Sequence, residues 1–485
     1  MFYIGRVVLN TNVTFGNHKD RVLYKFINHK KDENKYVIKY KNKDKRNRNN
    51  VYVVAVQNNE ETYNSDTIML TLERVIGYVG SKQGEYNLLL YKYNMINFKK
   101  LENEPKEHFE NIFKKELQSR SNITPIFTID ESKTLDYDDG FSVTMSEEKI
   151  IIGVHIADVS VFLKDSIKTN NSAKERWTSV YPNHHDTINM LPKYLSQDLC
   201  SLKENTKRLT ASVYFTYEND NETIFLQRDS VIITKNYTYE EAKKQIRNSK
   251  ELFVLDKIAC SNGNTYKMVE YWMIKTNKYI AEKLKDHNMI LRVQENKNET
   301  ISHNSMISDT DITLYNVISR NSANYVYLSR KEEYNHKIHR HTSLNKDYYT
   351  HFTSPIRRYA DIMVHKILFE SWQEKEIINE NLKNINEKNK LCNKLKYAEE
   401  KLSLTFKLEN EWQQSKEPYY TIAHVFSTEP EINSKILVKI IYHEEEYMLY
   451  VKQPKILKIF ELVKVQIVPN PSSTTLSKKL LIKIV

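Results

Sequence analysis

Residues 128–143 read Thr-Ile-Asp-Glu-Ser-Lys-Thr-Leu-Asp-Tyr-Asp-Asp-Gly-Phe-Ser-Val. Short apolar and β-branched runs at 126–129 and 141–145 predict two strands with an acidic connection between them. That connection carries four aspartates: Asp130, Asp136, Asp138 and Asp139. Converging carboxylates raise one another's pKa, and a hard cation such as Mg²⁺ relieves the repulsion. The stretch predicts a metal-binding loop, with an acidic, solvated loop as the alternative.

A second informative segment, Thr-Ser-Pro-Ile-Arg-Arg-Tyr at 353–359, predicts the start of a helix. Ser354 is a suitable N-cap, a proline follows at the first helical position, and apolar residues then recur at helical spacing. Helix N-terminal N–H groups, with the guanidinium groups of Arg357 and Arg358, suit a phosphate. The alternative is a surface helix whose arginines pair with Asp361. A metal-binding loop and an anion-binding helix start in one chain indicate phosphoryl-transfer chemistry on a polyanion.

Several motifs, taken in order, resemble the ribonuclease II/R family of RNB-domain exoribonucleases, which includes the catalytic subunit of the eukaryotic exosome. The form Arg-Tyr-Ala-Asp at 358–361 is closest in style to the exosome branch. The matching segments are the aspartate connection, 153–160 (Gly-Val-His-Ile-Ala-Asp-Val-Ser), 178–181 (Thr-Ser-Val-Tyr), 190–192, 195–202, 237–241 (Tyr-Thr-Tyr-Glu-Glu), 268–270 (Met-Val-Glu) and the arginine segment at 353–359.

The resemblance implies an α+β fold in which a central mixed α/β RNB catalytic domain is flanked by small β-barrel domains of the OB type. Strand-like alternation in the first hundred residues and after Pro418 agrees with this order. Strands are predicted at 4–9, 51–56, 68–72 and 86–91, and a charged helix at 376–413. The predicted domains are a cold-shock or OB-like β-domain with room for the remnant of a second barrel (1–100), a helical connector (101–120), the RNB domain (121–415) and an S1-like β-domain (416–485).

The resemblance also implies 3′→5′ hydrolysis of single-stranded RNA to nucleoside 5′-monophosphates by two divalent metal ions, Mg²⁺ with Mn²⁺ as a substitute. The implied metal ligands are Asp130, Asp136, Asp138 and Asp139. The implied catalytic residues are Asp138 and Arg357, and the implied RNA-binding residues are Tyr181, Tyr239, Glu270, Ser354 and Arg358. Tyr181 would stack on terminal bases, whereas Tyr239 and Glu270 would contact the ribose and favour RNA over DNA. Glu399 is either a further site residue or a solvated side chain of the charged helix.

Some segments depart from the family pattern. Between Tyr239 and Glu270 the chain is shorter than in familiar members, which removes the hairpin that brings a second stacking aromatic. Tyr271 stands where a second glutamate is common, and His-Arg-His-Thr-Ser-Leu at 339–344 replaces the usual His-Phe-Gly-Leu. We therefore expect complete catalytic parts and an abbreviated RNA clamp.

Composition is compatible with a nucleic-acid partner without identifying one. A net charge of +11, 33 Tyr and 17 Phe fit a polyanion, although an AT-rich genome produces similar usage. The basic run at 39–50 predicts a solvated hairpin loop or an RNA-contacting loop. The three cysteines form no Cys-x-x-Cys pair, so no disulfide partner is indicated. Without a signal peptide or a transmembrane-length apolar run, we expect a soluble intracellular protein, cytoplasmic or nuclear, with no membrane partner.

Three alternative functions follow from the same residues. His336, His339 and His341 could hold zinc, but no cysteine stands at ligand spacing from them. A catalytically weakened RNA-binding or scaffold protein on an RNB fold is the main alternative, and the retained aspartates and Arg357 speak against it. A deoxyribonuclease is disfavoured by Tyr239 and Glu270.

Overall fold

The computed structural model describes the chain except for a set of short segments and one longer one. The segments outside the description are 1, 12, 19–20, 31, 43–48, 65, 97–101, 121–122, 220, 286–287, 295–321, 331, 371, 373, 427–434, 453–456, 459, 471–472 and 474–475. The centre of the basic run predicted at 39–50 lies outside the described residues.

The N-terminal part of the chain forms a sheet that closes on itself. Strand β1 pairs with both β5 and β3, and β4 pairs in parallel with β6. This closed, largely antiparallel arrangement is of the OB type. Its strands are β1 (Phe2–Val7), β2 (Asn17–His18), β3 (Arg21–Asn28), β4 (Lys35–Tyr40), β5 (Val51–Asn64) and β6 (Thr67–Tyr78).

The strand predicted at 86–91 is wrong, because these residues lie in helix α1 (Lys82–Lys92). The Ser81 side chain accepts a hydrogen bond from the Gly84 N–H and caps the helix. Tyr86, Leu89 and Leu90 are buried together against the long C-terminal helix. A continuous apolar run fits a buried helix as well as a strand, so the cap and the packing decide the outcome.

The central part of the chain is built on a closed five-stranded barrel whose strand order is β10-β11-β7-β8-β9. The largest apolar cluster packs around it and includes Phe141, Phe215 and Trp272. Its elements are α2 (Lys106–Ser119), β7 (Ile123–Asp130), β8 (Asp139–Met145), β9 (Lys149–Ala157), α3 (Val159–Leu163), α4 (Ile167–Arg176), β10 (Lys207–Glu218), β11 (Asn221–Thr238), α5 (Tyr239–Gln245), α6 (Lys250–Ala259), α7 (Thr265–Lys283), β12 (Met289–Val293), β13 (Asn324–Leu328), α8 (His336–His339) and α9 (Tyr359–Glu370).

A long helix, α10 (Lys375–Ser415), leads to a five-stranded antiparallel sheet at the C-terminal end. A buried ion pair connects this end to the N-terminal part, since Lys479 Nζ lies 3.0 Å from Glu85 Oε1. The Tyr52 hydroxyl donates to the same oxygen at 3.0 Å. The C-terminal elements are β14 (Tyr419–Val425), β15 (Lys435–Tyr442), β16 (Glu445–Lys452), β17 (Leu462–Pro469), α11 (Leu476–Lys479) and β18 (Leu480–Ile484).

The predicted α+β class with barrel-like β-domains around a mixed centre is confirmed. The boundaries of the four predicted domains stay predictions. Within the described residues, no helix is both long enough and apolar enough to cross a membrane.

Candidate active site

The four aspartates lie at one end of the barrel, where β7 and β8 meet. Asp130 is the last residue of β7 and Asp139 the first of β8, so the two predicted strands are confirmed around the acidic connection. Close approach of the two strands requires a glycine beside this connection. A Cβ at Gly140 would stand 2.8 Å from Ile126 Cδ1 and 3.0 Å from the Phe127 carbonyl oxygen.

Asp138 is buried, and the arginine segment engages both of its carboxylate oxygens. The Ile356 N–H donates to Oδ1 at 2.8 Å, and Arg357 Nε lies 3.3 Å from Oδ2. Burial raises the pKa of Asp138 well above its usual range, while Arg357 and the Ile356 N–H oppose that rise. The fold therefore joins residues separated by more than two hundred positions in one polar contact, and Asp138 holds Arg357 in place.

Burial raises the pKa values of both Asp130 and Asp139, and repulsion from neighbouring carboxylates adds to the rise at Asp130. Burial, then the charges of Asp139 and Asp138, raise the pKa of Asp130 to about 8. Burial raises the pKa of Asp139 to about 6, although Arg357 and Arg358 oppose the rise. Asp130 Oδ2 is buried and has no hydrogen-bond partner among the described residues. The acidic connection is thus a partly desolvated cluster with too little positive charge, and the solvated-loop alternative does not describe it.

A divalent cation fits this donor set. Its atoms are hard carboxylate oxygens, one of them is buried without a partner, and repulsion between them disfavours ionisation without a cation. In the described part of the chain, however, no group of three or more His, Cys, Asp or Glu side chains is arranged to hold a metal ion. Asp138 already has partners on both oxygens, which leaves Asp130, Asp136 and Asp139 as the more available ligands.

The arginine segment does not begin a helix at Ser354, as the sequence predicted. Helix α9 begins at Tyr359, and residues 355–357 form a turn. The backbone of residues 357–359 forms hydrogen bonds with residues 177–179. The Ser179 N–H donates to the Arg357 carbonyl at 2.9 Å, and the Tyr359 N–H donates to the Trp177 carbonyl. The Ile356 N–H that was expected to face a phosphate donates to Asp138 instead. Because of these contacts between distant segments, the helix begins at Tyr359 and not directly after Ser354.

The two arginines have different surroundings. Arg357 has 44% of its side chain exposed and donates from Nη2 to Ser354 Oγ at 2.9 Å. Arg358 is mostly buried and donates to Asp361 Oδ2 at 2.8 Å, which matches the alternative pairing considered for it. Ser354 is itself buried, and its N–H donates to Asp361. Arg357 is thus the more exposed of the two arginines, whereas the RNA-binding roles of Ser354 and Arg358 stay predictions.

Tyr181 stands beside the aspartates with 51% of its surface exposed. Its hydroxyl donates to Asp136 Oδ2 at 2.8 Å. Burial of the hydroxyl and the charge of Asp136 raise the pKa of Tyr181. The ring is therefore fixed next to the acidic cluster while part of it remains open to a ligand.

Tyr239 is part of an aromatic pair that the sequence analysis missed. It begins α5 and stacks on Tyr266 of α7, with ring centroids 3.9 Å apart and planes 14° apart. The half-exposed Tyr266 also donates to Glu131 Oε1 at 3.1 Å, which ties the pair to the aspartate connection. Glu270 lies one helical turn after Tyr266 and is exposed, so Tyr239 and Glu270 do not form a buried polar pair, and their predicted contact with the ribose stays a prediction.

Glu399 is buried rather than solvated. Burial raises its pKa, and the backbone N–H of Asn183 donates to its carboxyl group. Asn183 lies two residues after Tyr181, so Glu399 supports the loop that carries the exposed tyrosine ring. The alternative prediction that Glu399 is a solvated side chain is therefore wrong, and its direct role in the site stays a prediction.

Comparisons with known proteins concern the sequence family and the fold. The family model for the RNB domain matches residues 115–259 and 247–374. Ribonuclease R of Chlamydia pneumoniae is 27% identical over 386 residues, which cover 62% of this chain and 55% of that protein. The chain spans about half the length of the curated relatives it matches.

Two solved structures share the fold. Mycoplasma genitalium RNase R in complex with ribose-methylated single-stranded RNA has a TM-score of 0.71 at 15% identity, and the match covers 100% of this chain and 89% of that one. Yeast Ssd1, a pseudonuclease, has a TM-score of 0.66 at 17% identity, covering 93% of this chain and 65% of that one.

Proposed function

The chain belongs to the RNB-domain family, and from that premise we propose that it is a 3′→5′ exoribonuclease. It would hydrolyse single-stranded RNA to nucleoside 5′-monophosphates with the help of divalent metal ions. The observation that carries the proposal is the contact of Asp138 with Ile356 and Arg357, which puts a half-exposed guanidinium beside the aspartate cluster.

Asp130, Asp136 and Asp139 would hold the cations. When bound there, Mg²⁺, or Mn²⁺ in its place, would supply Lewis-acid chemistry: a water activated for attack and stabilisation of the leaving oxygen. Asp138 contributes by position: its oxygens hold Arg357 Nε and the Ile356 N–H, and so fix the arginine segment against the acidic cluster.

Arg357 would stabilise charge that develops on the phosphorus. Contacts of Nε with Asp138 and of Nη2 with Ser354 orient its guanidinium before a substrate arrives. Donors fixed in advance need no reorganisation in the transition state, and electrostatic stabilisation of this kind is usually the largest single contribution to catalysis. The exposed side of the same group leaves donors for a phosphate oxygen.

The RNA 3′ end would meet aromatic side chains on two sides of the aspartates. The exposed Tyr181 ring offers a stacking surface for a terminal base. Tyr266 contacts Glu131 and stacks on Tyr239, and Glu270 follows one helical turn after Tyr266; we propose that this group recognises a ribose 2′-OH. Mycoplasma genitalium RNase R is solved in complex with ribose-methylated single-stranded RNA and also with double-stranded RNA, which supports RNA as the ligand of this site.

The test uses 5′-labelled single-stranded RNA and matched DNA, each with a free or a phosphorylated 3′ end, in Mg²⁺ or in EDTA. We expect a ladder of shortening RNA only with a free 3′ end and Mg²⁺, and little loss of DNA. Internal fragments, or cleavage that persists in EDTA, would show that the proposal is wrong.

A second candidate is an RNA-binding protein without catalysis, because Ssd1, a pseudonuclease, shares the fold. The buried Asp138, with a carboxylate held against Arg357, speaks for the enzyme, since burying charge is costly in a protein that does not use it. Tight RNA binding without any Mg²⁺-dependent shortening would favour the second candidate.

A further inference from the structure

A second arginine lies close to the arginine segment and forms no ion pair with a carboxylate among the described residues. Arg292, on β12, packs its guanidinium 4.4 Å from the ring centre of Tyr325. Its Nη1 atom is buried and has no hydrogen-bond partner among the described residues. Burial lowers the pKa of Arg292. A buried polar atom without a partner calls for an explanation, and a missing ligand is one.

Neighbouring donors lack partners as well. Within the described part of the chain, the buried atoms of this region without a hydrogen-bond partner include four near Arg292: Arg292 Nη1 itself, Arg358 Nε, Thr350 Oγ1 and the acceptor Asp361 Oδ1. Three of the four can donate a hydrogen bond. The set therefore matches an acceptor-rich ligand better than it matches a cation.

The charges of this cluster do not balance. Arg358 pairs with Asp361, whereas Arg292 forms no ion pair within the residues that the structure describes. Burial first, then the charges of Arg358 and Arg292, lower the pKa of His351 far below its usual value, so its imidazole is neutral and adds no charge. Among the residues that the structure describes, one guanidinium charge thus has no ion-pair partner in a partly desolvated place, and a bound anion would balance it.

The cluster lies next to the aspartates. Arg358 follows Arg357 in the chain, and its charge acts on Asp139 and Asp138. Arg292 and Arg358 each keep part of their surface open to solvent. A strand whose scissile phosphate contacts Arg357 would carry further phosphates toward this second guanidinium.

We propose that Arg292, together with Arg358, forms a phosphate-binding subsite beside the aspartate cluster. The forked, permanently charged guanidinium suits a phosphate oxygen pair. The identity of the anion as an RNA or nucleotide phosphate rests on the proposed function, whereas anion binding itself does not.

The test measures binding without catalysis. Inorganic phosphate and AMP, with adenosine as the uncharged counterpart, are titrated calorimetrically into the full chain in EDTA. The variants are Arg292→Gln, which keeps a polar side chain but no charge, and Arg292→Lys, which keeps charge without the fork. Arg340→Gln is the matched control, because Arg340 already faces Asp347.

We expect Arg292→Gln to weaken AMP binding about ten- to a hundredfold, as for loss of a hydrogen bond to a charged group. The AMP affinity of Arg292→Lys should lie between that of Arg292→Gln and that of wild type, and Arg340→Gln should bind AMP with wild-type affinity. Adenosine should show no dependence on residue 292. In phosphate-free buffer, Arg292→Gln should melt at the wild-type temperature or above, since it removes an unpaired buried charge.

Equal AMP affinity in wild type and Arg292→Gln would overturn the inference, as would a lower melting temperature with unchanged phosphate binding. If Arg292→Gln does not fold, equal AMP affinity of Arg292→Lys and wild type overturns it. If the protein cleaves RNA but Arg292→Gln does not change AMP affinity, the subsite is wrong and the proposed function is retained. If Arg292 is needed for phosphate binding but the protein cleaves no RNA, the proposed function is wrong and the subsite is retained.

Discussion

Replacing Asp138 with asparagine removes a negative charge with almost no change of shape. The amide oxygen can still accept the Ile356 N–H, but the new NH₂ group faces the Nε–H of Arg357, so two donors oppose each other. Arg357 then loses its orientation toward the aspartates. Loss of one preorganised electrostatic contact costs about 10²–10³ in kcat, and we expect at least that loss here.

Stability should change little. Arg357 is 44% exposed, so losing its ion pair costs at most about 1 kcal/mol. The neutral amide also avoids the desolvation that raises the pKa of the buried Asp138 carboxyl. A rate defect with a normal melting temperature would therefore report chemistry rather than unfolding.

Single-turnover cleavage of 5′-labelled RNA in Mg²⁺ gives the rate, and fluorescence anisotropy in EDTA gives RNA affinity. The control is Asp165→Asn, an exposed aspartate of the same central region. We expect RNA affinity within about twofold of wild type for both variants, because phosphate contacts along the chain are untouched. Turnover of Asp138→Asn within tenfold of wild type would refute the assignment.

Three further predictions concern the clamp, the sugar and the acidic cluster. Tyr181→Ala should lengthen the final undegraded oligonucleotide on a sequencing gel, because it removes the stacking ring. Tyr181→Phe loses only the hydrogen bond to Asp136 and should leave that length unchanged. Identical ladders for Tyr181→Ala and wild type would show that the RNA 3′ end binds elsewhere. The double variant Tyr239→Phe, Glu270→Ala should narrow the RNA-to-DNA ratio of kcat/KM by about two- to tenfold, as for loss of one net hydrogen bond to the ribose 2′-OH. A fixed ratio would contradict sugar recognition there. In EDTA, the free energy of unfolding measured with urea should fall as pH rises from about 4 to 8. The reason is that the carboxyl of Asp130 has a pKa of about 8 in the native state but ionises near 3.9 in the unfolded chain. Asp130→Asn should make the free energy of unfolding depend less on pH.

The sequence was most informative where strand patterns and motifs coincide. Alternating and apolar runs on either side of the aspartates predicted β7 and β8, because strand periodicity is a local property. The resemblance implied that Asp138 and Arg357 serve one site, but their direct contact was not predicted, since no local pattern reports a contact between residues 218 positions apart, as Ile356 and Asp138 are.

Other features depended on tertiary contacts that a sequence does not show. The helix predicted from Ser354 starts at Tyr359, because residues 357–359 pair with 177–179. Tyr266 was missed because one tyrosine among 33 carries no signal until Tyr239 is found stacked on it. The burial of Glu399 likewise depends on the loop after Tyr181.

The most direct test of the central claim is mass spectrometry of the products formed from 3′-hydroxyl RNA in ¹⁸O-labelled water with Mg²⁺. Attack by water at the phosphorus predicts nucleoside 5′-monophosphates, each carrying one ¹⁸O atom in its phosphate, released in sequence from the 3′ end. Cyclic phosphates, 3′-phosphates or 5′-monophosphates without ¹⁸O would contradict hydrolysis at this site.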